Sequence, residues 1–253
     1  MIRRSGNPFA QSQAIPQRMR LNSCASRQAF FSENASSVLA MQKKTFPEFV
    51  PPMMAQSAKE PFDSQDWIFE IKLNGYRAIT VFDAASKPHI WSRNGLPLEQ
   101  KFPAISNAVA RLKLRRTILD GEIVAVDENG IPRFQLLLRF QKQSTAPTLY
   151  FVFDMLWTNG ADVTGKTLME RRAVLETIIK PVAGIQLGSF VEGEGKALFD
   201  LTKAKGMEAL WPSAKTASIG LENGAPIGSR LSPGRSRSLW LADSPKVKEA
   251  GSI

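Results

Sequence analysis

The segment from Trp67 to Phe82 reads WIFEIKLNGYRAITVF and predicts two strands joined by a tight turn. In its first half, apolar residues alternate with Glu70 and Lys72, which gives a strand with one apolar face and one charged face. The dipeptide Asn74-Gly75 is the strongest short signal for a hairpin, because both residues tolerate the positive φ of a type I′ turn. The sequence therefore predicts a β-hairpin with a lysine close to its tip.

Three charged side chains surround the predicted turn, namely Glu70, Lys72 and Arg77. Charged residues are usually exposed, so a solvated hairpin face is the ordinary interpretation. The alternative is a lysine nucleophile held for attack on a nucleotide phosphate. A free lysine has a pKa near 10.4, so about one molecule in a thousand is unprotonated at neutral pH. Such a nucleophile would need desolvation or neighbouring cations, and the spacing alone leaves both interpretations open.

Composition and charge restrict the class of protein. The chain has 253 residues, of which 43% are hydrophobic, a formal charge of +10 and a sequence pI of about 9.9. This apolar content is enough for a folded core, and the basic excess favours polyanionic partners, nucleic acid before anionic membrane. A single cysteine, Cys24, excludes an intramolecular disulfide and a four-cysteine zinc site. No run approaches about 18 apolar residues, so the sequence predicts no transmembrane helix.

The composition changes early in the chain. Residues 1–48 are rich in Ser, Gln, Arg and Asn, contain few acidic residues and show no regular period, so we predict a disordered basic tail. A transit peptide, a nucleic-acid-binding arm and translation that starts at Met41 are alternatives. We expect one folded domain over residues 49–248, with a divergent or truncated end over 210–253.

Apolar spacing predicts the regular elements of this domain. Four apolar residues spaced by three and four predict an amphipathic helix packed on a sheet: Phe102, Ile105, Val109 and Leu112. Residues 167–170 form a capping box that opens a second helix. A third helix is predicted from about residue 195 to 205. Strands are predicted over 117–127 and 150–157.

Several of these segments resemble the motifs of the ATP-dependent DNA ligases. Glu70–Arg77 resembles motif I of that family, a lysine-x-aspartate-glycine core followed by arginine. Three further segments resemble motifs Ia, III and IIIa, respectively Ser92–Gly95, Asp120–Glu122 and Tyr150–Trp157. The closest match is to the ligase domain of the bacterial end-joining ligase D family, which also has a counterpart of Phe134–Leu137. The resemblance is good over about residues 50–211 and poor over 212–248.

The resemblance implies an α+β fold with antiparallel sheets flanked by helices, namely an ATP-grasp-like nucleotidyltransferase adenylation domain. In this chain we expect no C-terminal OB-fold. It implies that Lys72 takes AMP from ATP, with Mg²⁺ or Mn²⁺ present, and passes it to a 5′-phosphate of DNA for strand joining in repair or recombination. The implied partners are nicked or broken DNA ends and end-joining repair proteins, without a membrane, in a bacterial cytoplasm.

The resemblance also implies roles for individual residues. Glu70 would meet the adenine edge and Phe153 would stack on the purine. The metal ligands would be Glu122 and Glu208. The remaining nucleotide-binding residues would contact ribose or phosphate oxygens: Arg77, Arg93, Glu122, Lys215, Lys246 and Lys248.

The chain departs from the family pattern at several positions. Asn74 replaces the aspartate of motif I, which removes a negative charge beside the reacting amine, so we expect slower adenylation with nucleotide binding retained. Pro212 interrupts motif IV, and proline cannot donate to a sheet ladder. Lys215 lies two positions later than the lysine of the family, which keeps the strand face but moves the side chain by about 6–7 Å. Lys246 and Lys248 follow an insertion over residues 242–245 that the family does not have.

Two other functions stay open at this stage. The departures favour a non-catalytic remnant that binds nucleotide or DNA without turnover. An RNA ligase or a capping-type guanylyltransferase shares the lysine motif, but Ser92–Gly95 and Phe134–Leu137 favour a DNA ligase. The sequence does not indicate the oligomeric state or the preference for particular DNA ends.

Overall fold

The computed structural model describes residues 45–53, 56–57, 60–139, 146–204, 209–219, 221–222, 225–226 and 238–241. Its helices are α1 (Pro103–Ala110), α2 (Phe134–Arg139), α3 (Leu168–Ile178) and α4 (Gly195–Ala204). Its strands are β1 (Gln56–Ser57), β2 (Ser64–Ile71), β3 (Tyr76–Phe82), β4 (Pro88–Ser92), β5 (Thr117–Ala125), β6 (Thr148–Thr158), β7 (Ala161–Asp162), β8 (Ile185–Leu187), β9 (Val191–Gly193), β10 (Ala209–Ala214), β11 (Leu221–Glu222), β12 (Ala225–Pro226) and β13 (Ser238–Leu241).

Most of the strands form two sheets. One has five strands in the order β1-β13-β10-β2-β9, and the other has six, in the order β4-β3-β5-β6-β7 with β8 paired to β6. β11 and β12 form a separate pair. Among the described residues, neighbouring strands run antiparallel except β1 with β13 and β6 with β8. The predicted α+β class, with antiparallel sheets flanked by helices, is confirmed.

The predicted hairpin at Asn74-Gly75 is wrong. β2 pairs with β9 and β10, whereas β3 pairs with β4 and β5, so residues 72–75 cross from one sheet to the other. Neither Asn74 nor Gly75 has a positive φ. A Cβ atom on Gly75 would lie 2.2 Å from the carbonyl oxygen of Ile123, so glycine is needed here because two backbones approach closely. The turn signal is local and carries no information about the distant partners of β3.

The six-stranded sheet carries the main core, with α1 and α3 packed on it. Ile105 and Val109 of the predicted amphipathic helix are buried there. The capping box of α3 is also confirmed, because the backbone N–H of Glu170 donates to Thr167 Oγ1 at 3.3 Å and the backbone N–H of Thr167 donates to the Glu170 carboxylate at 2.8 Å. Within the part of the chain that the structure describes, every helix is too short to cross a bilayer.

The packed part of the chain begins before the predicted domain boundary at residue 49. The ring of Phe46 lies edge-on to Trp157, with 5.4 Å between ring centres, and packs on the cluster that contains Val50 and Ile79. Phe46 is therefore part of the folded domain. The rest of the predicted tail, residues 1–44, lies outside the described residues.

Pro212 lies within β10, and the sheet geometry explains why proline is tolerated there. β10 pairs with β2 over residues 210–214, but β13 pairs with β10 only at residues 209–210. Among the described residues, one side of β10 therefore has no neighbouring strand at Pro212. Proline is compatible with such an edge position, because no ladder hydrogen bond is needed on that side.

Candidate active site

A cleft of about 520 Å³ lies between the two sheets. Most of its lining residues come from β2, β9 and β10 of the five-stranded sheet, from β3, β5, β6 and β8 of the six-stranded sheet, and from residues 72–75 that connect the two sheets. The others come from residues 188–190 and from the helices α2 and α4. Five of the predicted site residues line this cleft: Glu70, Lys72, Arg77, Glu122 and Phe153. The fold therefore brings together residues that the sequence distributes over three motifs.

Lys72 follows the last residue of β2, and the strand fixes its position. Ile68 and Phe69 of β2 are fully buried, and β2 is paired on both sides, by β9 and β10. A side chain carried by a rigid strand is held more accurately than one carried by a long loop. The positive charge of Lys72 also interacts favourably with the carboxylate of Glu122.

Arg77 is clamped by a carboxylate on the neighbouring strand. Its Nε donates to Asp120 Oδ1 at 2.5 Å and its Nη2 donates to Asp120 Oδ2 at 2.6 Å. Burial disfavours the charge of the guanidinium, but Asp120 and the nearby carboxylates outweigh this effect and raise the pKa of Arg77. The guanidinium carbon lies 4.6 Å from the centre of the Phe153 ring, which is a cation–π distance. Arg77 is thus a fixed cation that also supports the Phe153 ring.

Glu122 lies opposite Arg77 in the pairing of β3 with β5 and is half-buried. Burial raises the pKa of Glu122 to about 7, although Arg77, the backbone N–H of Gly75 and Lys72 each favour the charged form. The carboxyl group is therefore close to half-protonated at neutral pH. A cation that enters the cleft would favour its ionised form.

We expect Glu122→Gln to stabilise the ligand-free protein at neutral pH but not at acidic pH. Below the ordinary pKa of 4.5, Glu122 is protonated in both the folded and the unfolded chain. As the pH rises from 4.5 to about 7, the unfolded chain releases this proton first, so the wild type loses about 3 kcal/mol of stability. Glutamine does not titrate, so the variant avoids this loss.

Differential scanning calorimetry of both proteins at several pH values checks this expectation. The melting temperature of the variant relative to the wild type should increase from pH 4.5 to about 7 and stay constant above that range. An equal difference at every pH would contradict the raised pKa of Glu122.

Two buried arginines on α3, Arg171 and Arg172, have partners that the sequence did not predict, and these arginines are 1% and 4% exposed. Arg172 donates to the carboxylate of Glu70, and Arg171 donates to both oxygens of Asp154 at 2.8 Å. Arg171 lies three residues after the buried Leu168, and Arg172 lies four residues after it. This spacing places both arginines on the inward face of the helix. This spacing was the signal that could have revealed them.

The Arg171–Asp154 pair connects three parts of the fold. Asp154 lies opposite Asp120 in the pairing of β5 with β6, and Asp120 is the partner of Arg77. Arg171 also donates to the backbone carbonyl of Ala217, beyond β10, at 3.1 Å. Two buried carboxylates therefore lie side by side, each neutralised by its own arginine.

A second cleft, of about 600 Å³, adjoins the first and shares four lining residues with it: Gly75, Arg77, Glu122 and Trp211. The predicted site residue Arg93 lines this second cleft and is exposed. Lys101 lines it as well, with its Nζ atom 3.8 Å from the centre of the Tyr76 ring. Cationic side chains therefore continue from the first cleft into the second.

The structure does not bring Lys215 into either of these clefts. Its Nζ atom lies 2.6 Å from Oε2 of Glu192, so the residue after β10 forms an ion pair with the middle residue of β9. Glu208, Lys246 and Lys248 lie outside the described residues. The nucleotide or metal roles of these four residues stay predictions.

The fold is similar to that of solved DNA ligase structures. The ligase domain from M. tuberculosis LigD has a TM-score of 0.58 and 22% identity, over 75% of this chain and 58% of that chain. A mycobacterial DNA ligase D complexed with ATP and MES has a TM-score of 0.57 and 21% identity, with the same coverage. This likeness shows that the chain shares its fold with DNA ligase domains.

The family model described as "ATP dependent DNA ligase domain" matches residues 52–192, which is more than half of the chain, and the chain belongs to this family. The SPbeta prophage-derived DNA ligase-like protein LigB of Bacillus subtilis is 32% identical over 165 residues, 64% of this chain and 59% of that protein. The multifunctional non-homologous end joining protein LigD of Pseudomonas aeruginosa is 34% identical over 190 residues, 75% of this chain and 21% of that protein. The chain thus spans little more than half of the first relative and about a fifth of the second.

Proposed function

We propose that the chain is the adenylation unit of an ATP-dependent DNA ligase, in which Lys72 accepts AMP. One observation carries this proposal: Lys72 shares a single cleft with Glu122, Arg77 and Phe153. The cleft offers an amine as nucleophile, an aromatic ring on which a purine can stack, and charged groups for the ribose and phosphate end of a nucleotide. These are the functional groups that adenylate transfer from ATP requires.

The proposed reaction begins at the amine of Lys72. The lone pair of Nζ attacks the α-phosphorus of ATP, the bond from that phosphorus to the bridging oxygen breaks, and pyrophosphate leaves with the electron pair. The amine loses a proton to solvent, which gives a phosphoramidate of AMP. An oxygen of the DNA 5′-phosphate then attacks the same phosphorus and releases Lys72. Finally, a DNA 3′-hydroxyl attacks the 5′-phosphate, and AMP leaves as the strands are joined.

The described side chains fit distinct parts of this substrate. Phe153 lines the cleft and provides an aromatic ring on which the purine can stack. Arg77 is charged and held by Asp120, so it can donate to ribose or phosphate oxygens without reorganising. The exposed Arg93 and neighbouring Lys101 suit phosphates of the DNA strand in the second cleft.

A divalent cation such as Mg²⁺ could be held in the first cleft by the carboxylate of Glu122, and its charge would favour the ionised form of that group. Glu122 is the proposed ligand among the described residues, and Glu208 is a further candidate. The described residues contain no cluster of three His, Cys, Asp or Glu side chains that could hold a metal ion. Mg²⁺ does not require such a cluster, because it is commonly held by one or two carboxylates together with phosphates. When bound, the cation would neutralise charge on the triphosphate.

DNA is the proposed acceptor. The formal charge of +10 and the basic second cleft suit a polyanion. Sealing of nicked or broken ends, and cooperation with end-joining proteins, are proposed from the names of the relatives, which are longer than this chain.

Transfer of label from ATP to the protein tests the proposed function. The purified chain is incubated with Mg²⁺ and ATP labelled at the α-phosphate, and the protein is then separated on a denaturing gel. We expect covalent label on the wild type and equal label on Lys180→Ala, which removes an exposed lysine outside both clefts. Labelling by GTP in preference to ATP would favour a capping-type enzyme, and absence of label with ATP still bound would contradict the proposal.

Asn74, which lines the first cleft, favours a second candidate function, namely nucleotide binding without transfer. As the nitrogen–phosphorus bond forms, the attacking nitrogen gains positive charge, which a carboxylate at this position would stabilise more than an amide does. We therefore expect Asn74→Asp to increase the rate of label transfer about tenfold or more.

The matched control for this variant is Asn94→Asp, which adds the same charge at another Asn-Gly dipeptide, in the second cleft. Single-turnover labelling of the three proteins measures the rates. An Asn74→Asp rate equal to that of the wild type would show that this position does not limit transfer.

A further inference from the structure

The segment that joins α1 to β5, residues 111–116, reads RLKLRR and is strongly basic. Its exposed residues are Arg111, Lys113, Arg115 and Arg116. Lys87, which is also exposed, lies in the turn between β3 and β4. Arg115 Nε donates to the backbone carbonyl of Ala84 in the same turn at 3.0 Å, so the turn and the segment form one surface. These five cationic residues are the basic patch.

The basic patch lies at the opposite end of the six-stranded sheet from the clefts. Arg77 pairs with Glu122 near the cleft end of β3 and β5, whereas Phe82 pairs with Thr117 at the other end, next to the patch. The distance from Arg77 to Phe82 along β3 is about 17 Å. No residue of the basic patch lines either of the two clefts described above. The patch is therefore separate from the proposed site of AMP transfer.

Backbone hydrogen bonds hold the basic segment between two neighbouring turns. The N–H of Arg116 donates to the carbonyl of Asp83 at 3.1 Å, in the turn between β3 and β4. The carbonyl of Arg116 accepts from the N–H of Gly160 at 2.8 Å, in the turn between β6 and β7. Little ordering of this backbone is needed when a ligand binds, which lowers the entropic cost of binding.

Two arginines of the patch are oriented by neutral acceptors. Arg111 Nη2 donates to the backbone carbonyl of Ala183 at 2.7 Å, and Arg115 donates to that of Ala84. Other arginines in the described chain instead pair with carboxylates, namely Arg77, Arg133, Arg171 and Arg172. Within the described ranges, no carboxylate forms a salt bridge with a residue of the patch. The patch thus holds two guanidinium forks in place without neutralising them.

The acidic residue of the adjoining turn does not cancel this charge. Asp83 Oδ1 accepts from the backbone N–H groups of Ala85 and Lys87, both at 2.8 Å, so its carboxylate is used within the turn. The cations of the patch outnumber this one carboxylate. An excess of cations on one surface attracts a polyanion.

The residue types of the patch favour nucleic acid over a membrane. Guanidinium forks match the oxygens of a phosphate group, and lysine adds a point charge. Stable attachment to a membrane surface needs an apolar contribution as well. Leu112 and Leu114 of the basic segment are packed against the main core instead. The large hydrophobic side chains that are exposed in the described part of the chain lie elsewhere: Leu96, Phe134 and Leu138.

We propose that the basic patch binds the phosphate backbone of duplex DNA, outside both clefts and independently of base sequence. It is a second contact surface for the polymer that the proposed function takes as the acceptor. The inference rests on the proposed function only in its choice of DNA as the partner. It does not require transfer of AMP to Lys72.

Binding of a DNA duplex in the absence of ATP tests this inference separately from the transfer reaction. Fluorescence anisotropy of a labelled duplex gives the association constant of the full chain at KCl concentrations from about 50 to 200 mM. One variant combines Arg111→Gln with Arg115→Gln, and a second is Lys113→Gln. The matched control combines Lys196→Gln with Lys203→Gln, which removes two exposed positive charges from α4.

We expect the double arginine variant to bind the duplex about tenfold or more weakly than the wild type at about 100 mM KCl. The slope of the logarithm of the association constant against that of the salt concentration should become shallower by about two, because each lost phosphate contact removes about 0.9. Lys113→Gln should lower the slope by about one. The Lys113 side chain has no hydrogen bond to another described residue, so this variant decides the question if the double variant does not fold. The α4 control should keep the slope of the wild type.

A slope that is unchanged in the folded patch variants would overturn the inference. An equal reduction in the α4 control would also overturn it, because overall charge rather than this surface would then govern binding. A wild type that is labelled by ATP but does not bind the duplex would overturn the inference and leave the role of Lys72 intact. A wild type that binds the duplex with a slope dependent on the patch, but is not labelled, would support the inference and contradict only the proposed function.

Discussion

Lys72→Ala should lower the transfer of labelled AMP to the protein by at least about a thousandfold, because removal of the nucleophile leaves no atom to form the phosphoramidate. ATP binding should change little. The purine surface of Phe153 and the clamped Arg77 are carried by β6 and β3, and neither depends on the lysine side chain. Quantitative gel labelling and calorimetric titration with ATP measure the two properties independently.

Lys72→Arg separates the charge of Lys72 from its nucleophilicity. Arginine keeps a positive charge near Glu122, but its guanidinium is not deprotonated at accessible pH and cannot attack phosphorus. We expect this variant to bind ATP like the wild type and to remain unlabelled. Label on either variant at the level of the wild type would show that another residue accepts AMP.

Asp154→Asn should destabilise the domain by about 3–5 kcal/mol, the second large effect that we expect. The substitution leaves the charge of Arg171 buried, because that residue is only 1% exposed. A neutral amide then replaces the carboxylate that accepted two hydrogen bonds at 2.8 Å from the guanidinium. Arg171 also holds the backbone at Ala217, so the loss extends beyond the sheet. Urea unfolding followed by circular dichroism gives the free energy of unfolding.

An exposed pair in the same chain provides the control. Arg133 and Asp127 are 3.0 Å apart, but the arginine side chain is 52% exposed, and such pairs contribute little. We expect Asp127→Asn to cost no more than about 1 kcal/mol. Equal costs for the two substitutions would mean that the Arg171–Asp154 pair does not hold the fold together.

Periodicity predicted much of the domain, because burial of one face is a local property of a helix or strand. The spacing of Ile105 and Val109 indicated α1, and the capping box at Thr167 indicated the start of α3. The apolar run around Phe153 indicated the longest strand, β6. The motif order then placed Lys72, Glu122 and Phe153 in one site, and the cleft contains all three.

Pairing between distant segments could not be predicted in the same way. Asn74-Gly75 has the composition of a hairpin turn, but β3 pairs with β5, and Gly75 is needed because the backbone of Ile123 lies against it. The helical spacing of Arg172 could have indicated an inward position, but not its partner Glu70, which lies 102 residues earlier in the chain. Such contacts depend on how the sheets and helices assemble, which local patterns do not specify.

Peptide mapping of the protein after incubation with ATP and Mg²⁺ tests the central claim most directly. The phosphoramidate is acid-labile, so digestion and mass spectrometry are done without acid, and a modified Lys72 would block tryptic cleavage and leave one peptide over residues 60–77. We predict that this peptide carries the mass of one AMP group and loses it in acid. AMP on a different peptide, or no AMP on any peptide of a chain that binds ATP, would contradict the assignment of Lys72 as the nucleophile.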